Sequence, residues 1–600
     1  MTDVPRHSRR DFVNLLTRLG ALFALVPGKG LDGLAASPAI TFADVTRSAG
    51  LLGARNVFGS AEDKQFLLEE MGCGAAFFDY DNDGWPDIFL VNGSSFDSRE
   101  RDRHPTSYLF HNNRDGTFTD VTMRAGLTHT GWGQGCCVGD YDNDGLDDLF
   151  VSYFGRNILY HNNGDGTFTD VSEKAGVAGT ENRWGAGCCF LDYDRDGRLD
   201  LFIANYIHFD PARAPKPGEA IYCRYNDIPV PCGPQGFAGG TNILYRNRGD
   251  GTFEDVSEAS GIARPRGPAS MLFVPNNWQP SGSYGMGAVS ADFDNDGWPD
   301  IYVASDTAPS LLYRNNRDGT FREIAVPAGC AFDENGVALS GMGAATADYD
   351  GDGWLDIART NFSEQVTSLY RNYGNGAFED ASIRAGLGVN RKYLGFGLGF
   401  ADFDNDGRKD LFIANGHVYS QIAHRNLHLK YKEPKVLYRN MGNGTFQDIS
   451  GTAGPAIRGE NVARGCAFGD FDNDGNVDVL VNNLDGPPSL FRNQGGSKNN
   501  WISIKCLGTR SNRSAIGTRV SVKNGNQRQI DEVMSGSSYY SQNDLRLHFG
   551  LGKAATAELV EINWPSGSKE SFKNLPANHR YVIQEAKGIV ERRAPGRGSK

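Results

Sequence analysis

Short apolar runs recur along the chain in groups of four. In one unit the first run is small and apolar, Gly135-Cys136-Cys137-Val138, and leads into an acidic loop from Asp140 to Asp148. The second run is Asp148-Leu149-Phe150-Val151-Ser152, and the third holds Ile158-Leu159-Tyr160. A Gly164-Asp165-Gly166 turn separates it from the fourth, Phe168-Thr169-Asp170-Val171. Runs this short, bounded by Gly, Asp and Asn, predict strands. Gly-Asp-Gly between two of them predicts a hairpin. Four antiparallel strands make one propeller blade.

The unit repeats. Asp-x-Asp-x-Asp-Gly-x-x-Asp occurs seven times, starting at Asp79, Asp140, Asp192, Asp292, Asp348, Asp402 and Asp470. Leu-Tyr/Phe-x-Asn also occurs seven times, at Leu109, Leu159, Leu244, Leu312, Leu369, Leu437 and Leu490. A third element, close to Phe-x-Asp/Glu-Val/Ile, centres on Phe118, Phe168, Phe253, Phe321, Phe378 and Phe446. Its seventh copy lies at the far end of the chain, in Thr41-Phe42-Ala43-Asp44-Val45, while the last repeat ends at Leu490-Phe491-Arg492-Asn493 without one. An open solenoid needs no such exchange, whereas a ring closed by an N-terminal strand does. The expected fold is therefore all-β: a seven-bladed β-propeller over residues 40–496, with a small β-rich domain after it.

Each acidic loop offers four carboxylates: Asp79, Asp81, Asp83 and Asp87; Asp140, Asp142, Asp144 and Asp148; Asp192, Asp194, Asp196 and Asp200; Asp292, Asp294, Asp296 and Asp300; Asp348, Asp350, Asp352 and Asp356; Asp402, Asp404, Asp406 and Asp410; Asp470, Asp472, Asp474 and Asp478. Carboxylates at positions 1, 3 and 5 can converge on one hard cation, and the Gly at position 6 lets the chain turn sharply. An EF-hand loop is longer and ends in Glu, so that motif is excluded. Oxygen-only ligation selects Ca²⁺ over Zn²⁺ or copper. Charge agrees. The chain carries −13, and residues 1–36 hold five Lys/Arg and three acids, so the remainder stands at −15. Seven Ca²⁺ would bring it to about −1. The expected role is structural, about seven ions pinning seven hairpins. The repeats resemble the FG-GAP/VCBS repeats of integrin α-subunit propellers and of many secreted bacterial proteins. That resemblance implies calcium at the same aspartates and names no ligand.

Insertions point to the other side. Successive connections of an antiparallel blade alternate between faces, and the long ones all fall away from the acidic loops. They lie between Asp79 and Leu109, Asp192 and Leu244, and Asp402 and Leu437, with a long link around Arg264 to Tyr284. Repeat proteins commonly carry binding loops on one face. The candidate ligand-face residues are Arg224, Tyr225, Trp278, His417, Tyr419 and His424. His424 and His428 have the i, i+4 spacing that binds metal on a helix, though a solvated loop is the favoured reading. Cys223 and Cys232 flank a Pro-rich loop and are expected to form a disulfide. Cys136, Cys137, Cys188, Cys189 and Cys466 sit where other repeats have Ala or Val and read as small core residues.

After Gly495-Gly496 the spacing changes. Trp501-Ile502-Ser503-Ile504, Thr518-Arg519-Val520-Ser521-Val522, Leu545-Arg546-Leu547-His548-Phe549 and Leu559-Val560-Glu561-Ile562 alternate as strands. Ser511-Asn512-Arg513, Ala515-Ile516-Gly517, Ser537-Ser538-Tyr539, His548-Phe549-Gly550-Leu551-Gly552 and Trp564-Pro565-Ser566-Gly567 closely resemble the ASPIC/UnbV domain. With the repeats in front, residues 40–586 resemble the cartilage acidic protein/UnbV family. The domain is expected over 497–586, followed by a basic tail over 587–600.

The first 39 residues read as an export signal. Arg9-Arg10-Asp11-Phe12, an apolar run from Leu19 to Val26 and small residues Ala35, Ala36 and Ala39 follow in that order. The adjacent arginines resemble a twin-arginine signal. A disordered start or a short membrane anchor is the alternative. No later stretch reaches transmembrane length. The net charge argues against a nucleic-acid partner. Gly-x-Ser-x-Gly, His-Glu-x-x-His and P-loop fingerprints are all missing from the sequence. The expected function is an exported, periplasmic or extracellular, monomeric calcium-binding module for a protein or glycan. The alternative is a secreted propeller enzyme, a glycan lyase or hydrolase, which would gather Tyr225, His417 and His424 in one pocket.

Overall fold

A computed structural model describes residues 40–96, 106–263, 282–425, 428–495 and 498–595. The export segment and Trp278 lie outside the described residues. Ile40–Lys600 forms one compact unit. The described residues are almost entirely β, with only single-turn helices.

Seven four-stranded antiparallel sheets follow the seven repeats. Sheet two is typical: Trp132–Gly139, Asp148–Phe154, Ile158–Asn162 and Phe168–Asp170, paired in sequence order. The seventh sheet combines Ala463–Gly469, Asp478–Asn483 and Ser489–Asn493 with Phe42–Asp44. Phe42 pairs with Asn493, and Asp44 with Phe491.

The first strand of every sheet is short-chained and buried throughout or nearly so, as in GAGCCFL and GMGAVSA. The reason is proximity, since each first strand packs against that of the next sheet, and the seventh against the first. Gly287 shows the tolerance. Its N–H donates to Met342 O at 2.8 Å, and a Cβ there would lie 2.7 Å from that oxygen. The five cysteines read as small core residues are buried free thiols.

Two further four-stranded sheets follow. One orders Leu547–Gly552, Asn500–Leu507, His579–Gln584 and Gly588–Arg593, with one parallel pair between Asn500–Leu507 and His579–Gln584. The other orders Gln527–Glu532, Arg519–Asn524, Thr556–Asn563 and Lys569–Pro576. Gly588–Arg593 corrects the expected tail. It is an edge strand whose mostly exposed, charged residues give no apolar alternation to read.

The segment Ser535–Asp544 joins these two sheets and enters the space bordered by the seven first strands. Ser537 and Ser541 exchange backbone hydrogen bonds, and Ser538 and Tyr540 are left-handed, with φ of 59° and 61°. The resulting tip reaches every sheet. Ala75 N–H donates to Ser541 Oγ, Cys136 N–H to Tyr540 O, and Phe190 N–H to Ser535 Oγ. Tyr540 Oη lies 3.3 Å from Met286 Sδ. Ala344 N–H donates to Ser538 O, Leu398 N–H to Ser538 Oγ, and Phe468 N–H to Asn543 Oδ1. Tyr539 and Tyr540 are fully buried and stacked with centroids 3.8 Å apart.

Candidate metal centres and candidate binding face

Each acidic loop is built by its own backbone. Asn82 and Gly84, at positions 4 and 6, have φ of 56° and 90°, so the chain folds back and aims N–H groups inward. In all seven loops the first aspartate accepts the N–H of the loop glycine. The last aspartate is a clamp. One oxygen accepts the N–H of position 2, and the other accepts, at 2.7–2.8 Å, the N–H of the asparagine that ends Leu-Tyr/Phe-x-Asn. Each carboxylate oxygen has a second lone pair to offer.

The carboxylates converge. Ligand oxygens of Asp79, Asp81 and Asp87 all lie within 4.8 Å of one another, as do those of Asp140, Asp142 and Asp144, and of Asp192, Asp194 and Asp200. In sheets three to seven the second aspartate keeps Oδ1 buried with no donor, at Asp194, Asp294, Asp350, Asp404 and Asp472. A buried carboxylate oxygen without a partner is costly, and a cation in the loop would satisfy it. Burial raises the carboxyls of Asp140 and Asp402 to about 8 and those of Asp87, Asp148, Asp192 and Asp348 to about 7. The donor set, hard oxygen around a sharp turn, fits a divalent cation of the calcium type.

Two features of the loops escaped the sequence reading. The third residue of Leu-Tyr/Phe-x-Asn is basic in every repeat and meets the second aspartate of its loop: His111 with Asp81, His161 with Asp142, Arg246 with Asp194, Arg314 with Asp294, Arg371 with Asp350, Arg439 with Asp404 and Arg492 with Asp472. The asparagine also bridges repeats. Its Nδ2 donates at 2.7–2.9 Å to a backbone carbonyl in the preceding loop: Asn162 to Tyr80, Asn247 to Tyr141, Asn315 to Tyr193, Asn372 to Phe293, Asn440 to Tyr349 and Asn493 to Phe403. Asn112 completes the circuit by donating to Phe471. A motif repeated seven times was visible, but partners that belong to a neighbouring repeat carry no spacing signal.

The C-terminal sheets sit on the acidic loops. Arg513 N–H donates to Asn143 Oδ1 at 2.8 Å, Arg519 to Asp292 O at 2.6 Å and Gln527 to Gly407 O at 2.8 Å. His548 Nε2 lies 2.6 Å from Asn405 Oδ1.

On the opposite side the insertions of sheets three and six meet the segment that links Phe42–Asp44 to the first strand of sheet one. Gln421 donates to Lys64 O at 2.8 Å, and Lys216 Nζ stands 3.8 Å over the Phe66 ring. Tyr225 comes from the insertion of sheet three, yet its ring lies 5.2 Å from Tyr419 and 5.5 Å from His417, both of sheet six, and 6.0 Å from Phe362 of sheet five. Phe362 was not anticipated, because it lies in a short loop outside the insertions. Cys223 and Cys232 are disulfide-bonded. Arg224 is exposed, and Ile221 beside it is 88% exposed. His417 is fully buried, its Nδ1 accepts the Tyr419 N–H, and burial pushes its pKa down to about 3. The 3-10 helix Ser420–His424 ends at His424. His428 is therefore not one turn further along it, and instead pairs with Glu364 at 3.2 Å.

Residues 79–203, 235–413 and 431–481 match, in six segments, the family described as FG-GAP-like repeat. The chain belongs to the FG-GAP-like repeat family. Residues 508–590 of this FG-GAP protein match a second family, ASPIC and UnbV. Cartilage acidic protein 1 of Homo sapiens is 29% identical over 295 residues, which cover 48% of this chain and 41% of that protein. The Xenopus tropicalis protein of the same name is 28% identical over 292 residues, covering 47% and 42%. This chain thus spans about two fifths of the length of these relatives. Among solved structures, an Agrocybe aegerita lectin specific for non-reducing terminal N-acetylglucosamine aligns with a TM-score of 0.36 and 15% identity, over 71% of this chain and 95% of that one. No helix among the described residues is long and apolar enough to cross a membrane.

Proposed function

We propose that this FG-GAP protein is an exported, calcium-stabilised, seven-bladed β-propeller that binds a glycan or protein through its insertion face. Its domains are the propeller, 40–496, and the ASPIC/UnbV domain that begins at 497. The blade count is supported by the cyclic packing of first strands and the circuit of asparagine bridges. Calcium is supported by the converging aspartates and their unpartnered oxygens. In each loop the first three aspartates and the last would hold the ion, and it would neutralise their mutual repulsion. Periplasmic or extracellular placement is supported by the export-like N-terminus and the disulfide.

One observation carries the assignment of the face. The acidic-loop side is covered by the C-terminal sheets, whereas the other side gathers Tyr225, Phe362 and Tyr419 from three separate repeats beside the exposed Arg224. Aromatic rings flanked by an arginine are the residues that dominate binding surfaces. The enzyme alternative gains nothing from His417. A buried imidazole held neutral cannot serve as a general acid near pH 7.

The test is binding of the calcium-loaded chain to a glycan array and to candidate matrix proteins. We expect the Arg224→Ala/Tyr225→Ala double variant to lose at least about tenfold in affinity, as hot-spot truncation does, with its melting temperature little changed. Equal affinity in the double variant would remove the insertion face from the account.

A further inference from the structure

A cleft of about 260 Å³ lies between the C-terminal sheets and the first two acidic loops. Five cations line it, yet one is fully committed. Arg546 is spent on Asp544, on Asn473 Oδ1 and on Asp470 O. The other four keep unused donors. Lys505 Nζ is 3.6 Å from Asp79 Oδ2 and 3.5 Å from Asn82 Oδ1, too far for a good hydrogen bond to either. Arg580 uses NH1 on Gly84 O, while its buried Nε has no acceptor. Arg593 gives NH1 to Asp83 O and Nε to Glu591, and Arg513 gives NH1 to Gly508 O. Burial, and after it the adjacent Arg546, brings the Arg580 guanidinium down to about 10, as expected where cations crowd without enough counter-charge.

The acids facing the cleft are accounted for. Glu591 is paired with Arg593, and Asp147 accepts the Ser514 hydroxyl at 2.8 Å. Asp79 and Asp140 are the first aspartates of loops one and two. A divalent ion in each loop would take their charge and leave the cleft cationic.

We propose that this cleft binds a small oxyanion of the sulfate type, free or as the ester group of a sugar, through Lys505, Arg580, Arg593 and Arg513. Guanidinium forks match such oxygens in pairs, and Lys505, on the strand that pairs with that of Arg580, adds a point charge from the same sheet. The buried Arg580 Nε would gain the acceptor it lacks. The proposal rests on the calcium reading for its affinity, because empty loops would turn two carboxylates toward the anion.

The probe is sodium sulfate, titrated calorimetrically at constant ionic strength into the calcium-loaded chain, with metal content measured in parallel. We expect saturable binding. It should weaken about tenfold on chelation, and about tenfold in Lys505→Gln/Arg580→Gln with metal content unchanged, the loss of a charge-assisted hydrogen bond being of that size. Lys505→Gln alone touches no structural hydrogen bond of normal length and should weaken binding several-fold even if Arg580 proves necessary for folding. Full metal content without saturable sulfate binding, or undiminished affinity in both variants, would overturn the site. A chain that takes up no calcium would show instead that the metal reading has failed.

Discussion

Tyr540→Ala is expected to cost about 3–5 kcal/mol, the range for removing a fully buried large aromatic. The side chain lies at the tip of Ser535–Asp544, stacked on Tyr539 and against Met286. Tyr539 in turn meets Phe396 edge-on at 4.8 Å and donates its hydroxyl to Met71 O. Because this segment hydrogen-bonds the inner strands of sheet after sheet, the loss should not stay local. We expect the main thermal transition of the whole chain to move down, and the C-terminal sheets to become more sensitive to protease. If the ASPIC/UnbV region were an independent module, the transition of the repeats would stay where it is and only the C-terminal part would melt earlier.

Asn162→Ala is expected to cost about 2–4 kcal/mol, since it strands several polar groups at once. The amide donates to Tyr80 O in the preceding loop and to Asp147 O in its own, and its oxygen accepts the Gly164 N–H. Asn162 is 1% exposed. The bridging carbonyl belongs to the acidic loop of sheet one. Calcium affinity should therefore fall at one or two loops while the others keep theirs. This is readable as a metal content lower by one or two ions per chain at limiting calcium, together with a lower melting temperature. A substitution that lowered stability but left the calcium stoichiometry intact would separate the bridge from the metal loop.

Much of this molecule was legible in its sequence because the repeat is strict. Four short runs per unit gave the four strands, and the displaced Phe42 run gave the pairing of Phe42–Asp44 with Ser489–Asn493. Cys223 and Cys232, isolated in one Pro-rich loop, gave their disulfide. What stayed hidden lacks periodicity. Ser537-Ser538-Tyr539-Tyr540-Ser541 shows no repeat spacing, yet its two left-handed residues aim two tyrosines into the space between the sheets. The bridging role of Asn162 depends on a partner 82 residues away. Tyr225 meets Tyr419 only because the insertion of sheet three reaches across to sheet six.

Thermal unfolding of the chain with calcium and with EDTA, with metal counted in parallel, tests the central claim most directly. Seven loops of four aspartates each predict about seven Ca²⁺ per chain and a large fall in melting temperature on chelation. An unchanged melting temperature and little bound metal would mean that the loops are aspartate-rich turns held by their own hydrogen bonds and by the basic residues beside them, and the calcium-stabilised ring would be wrong.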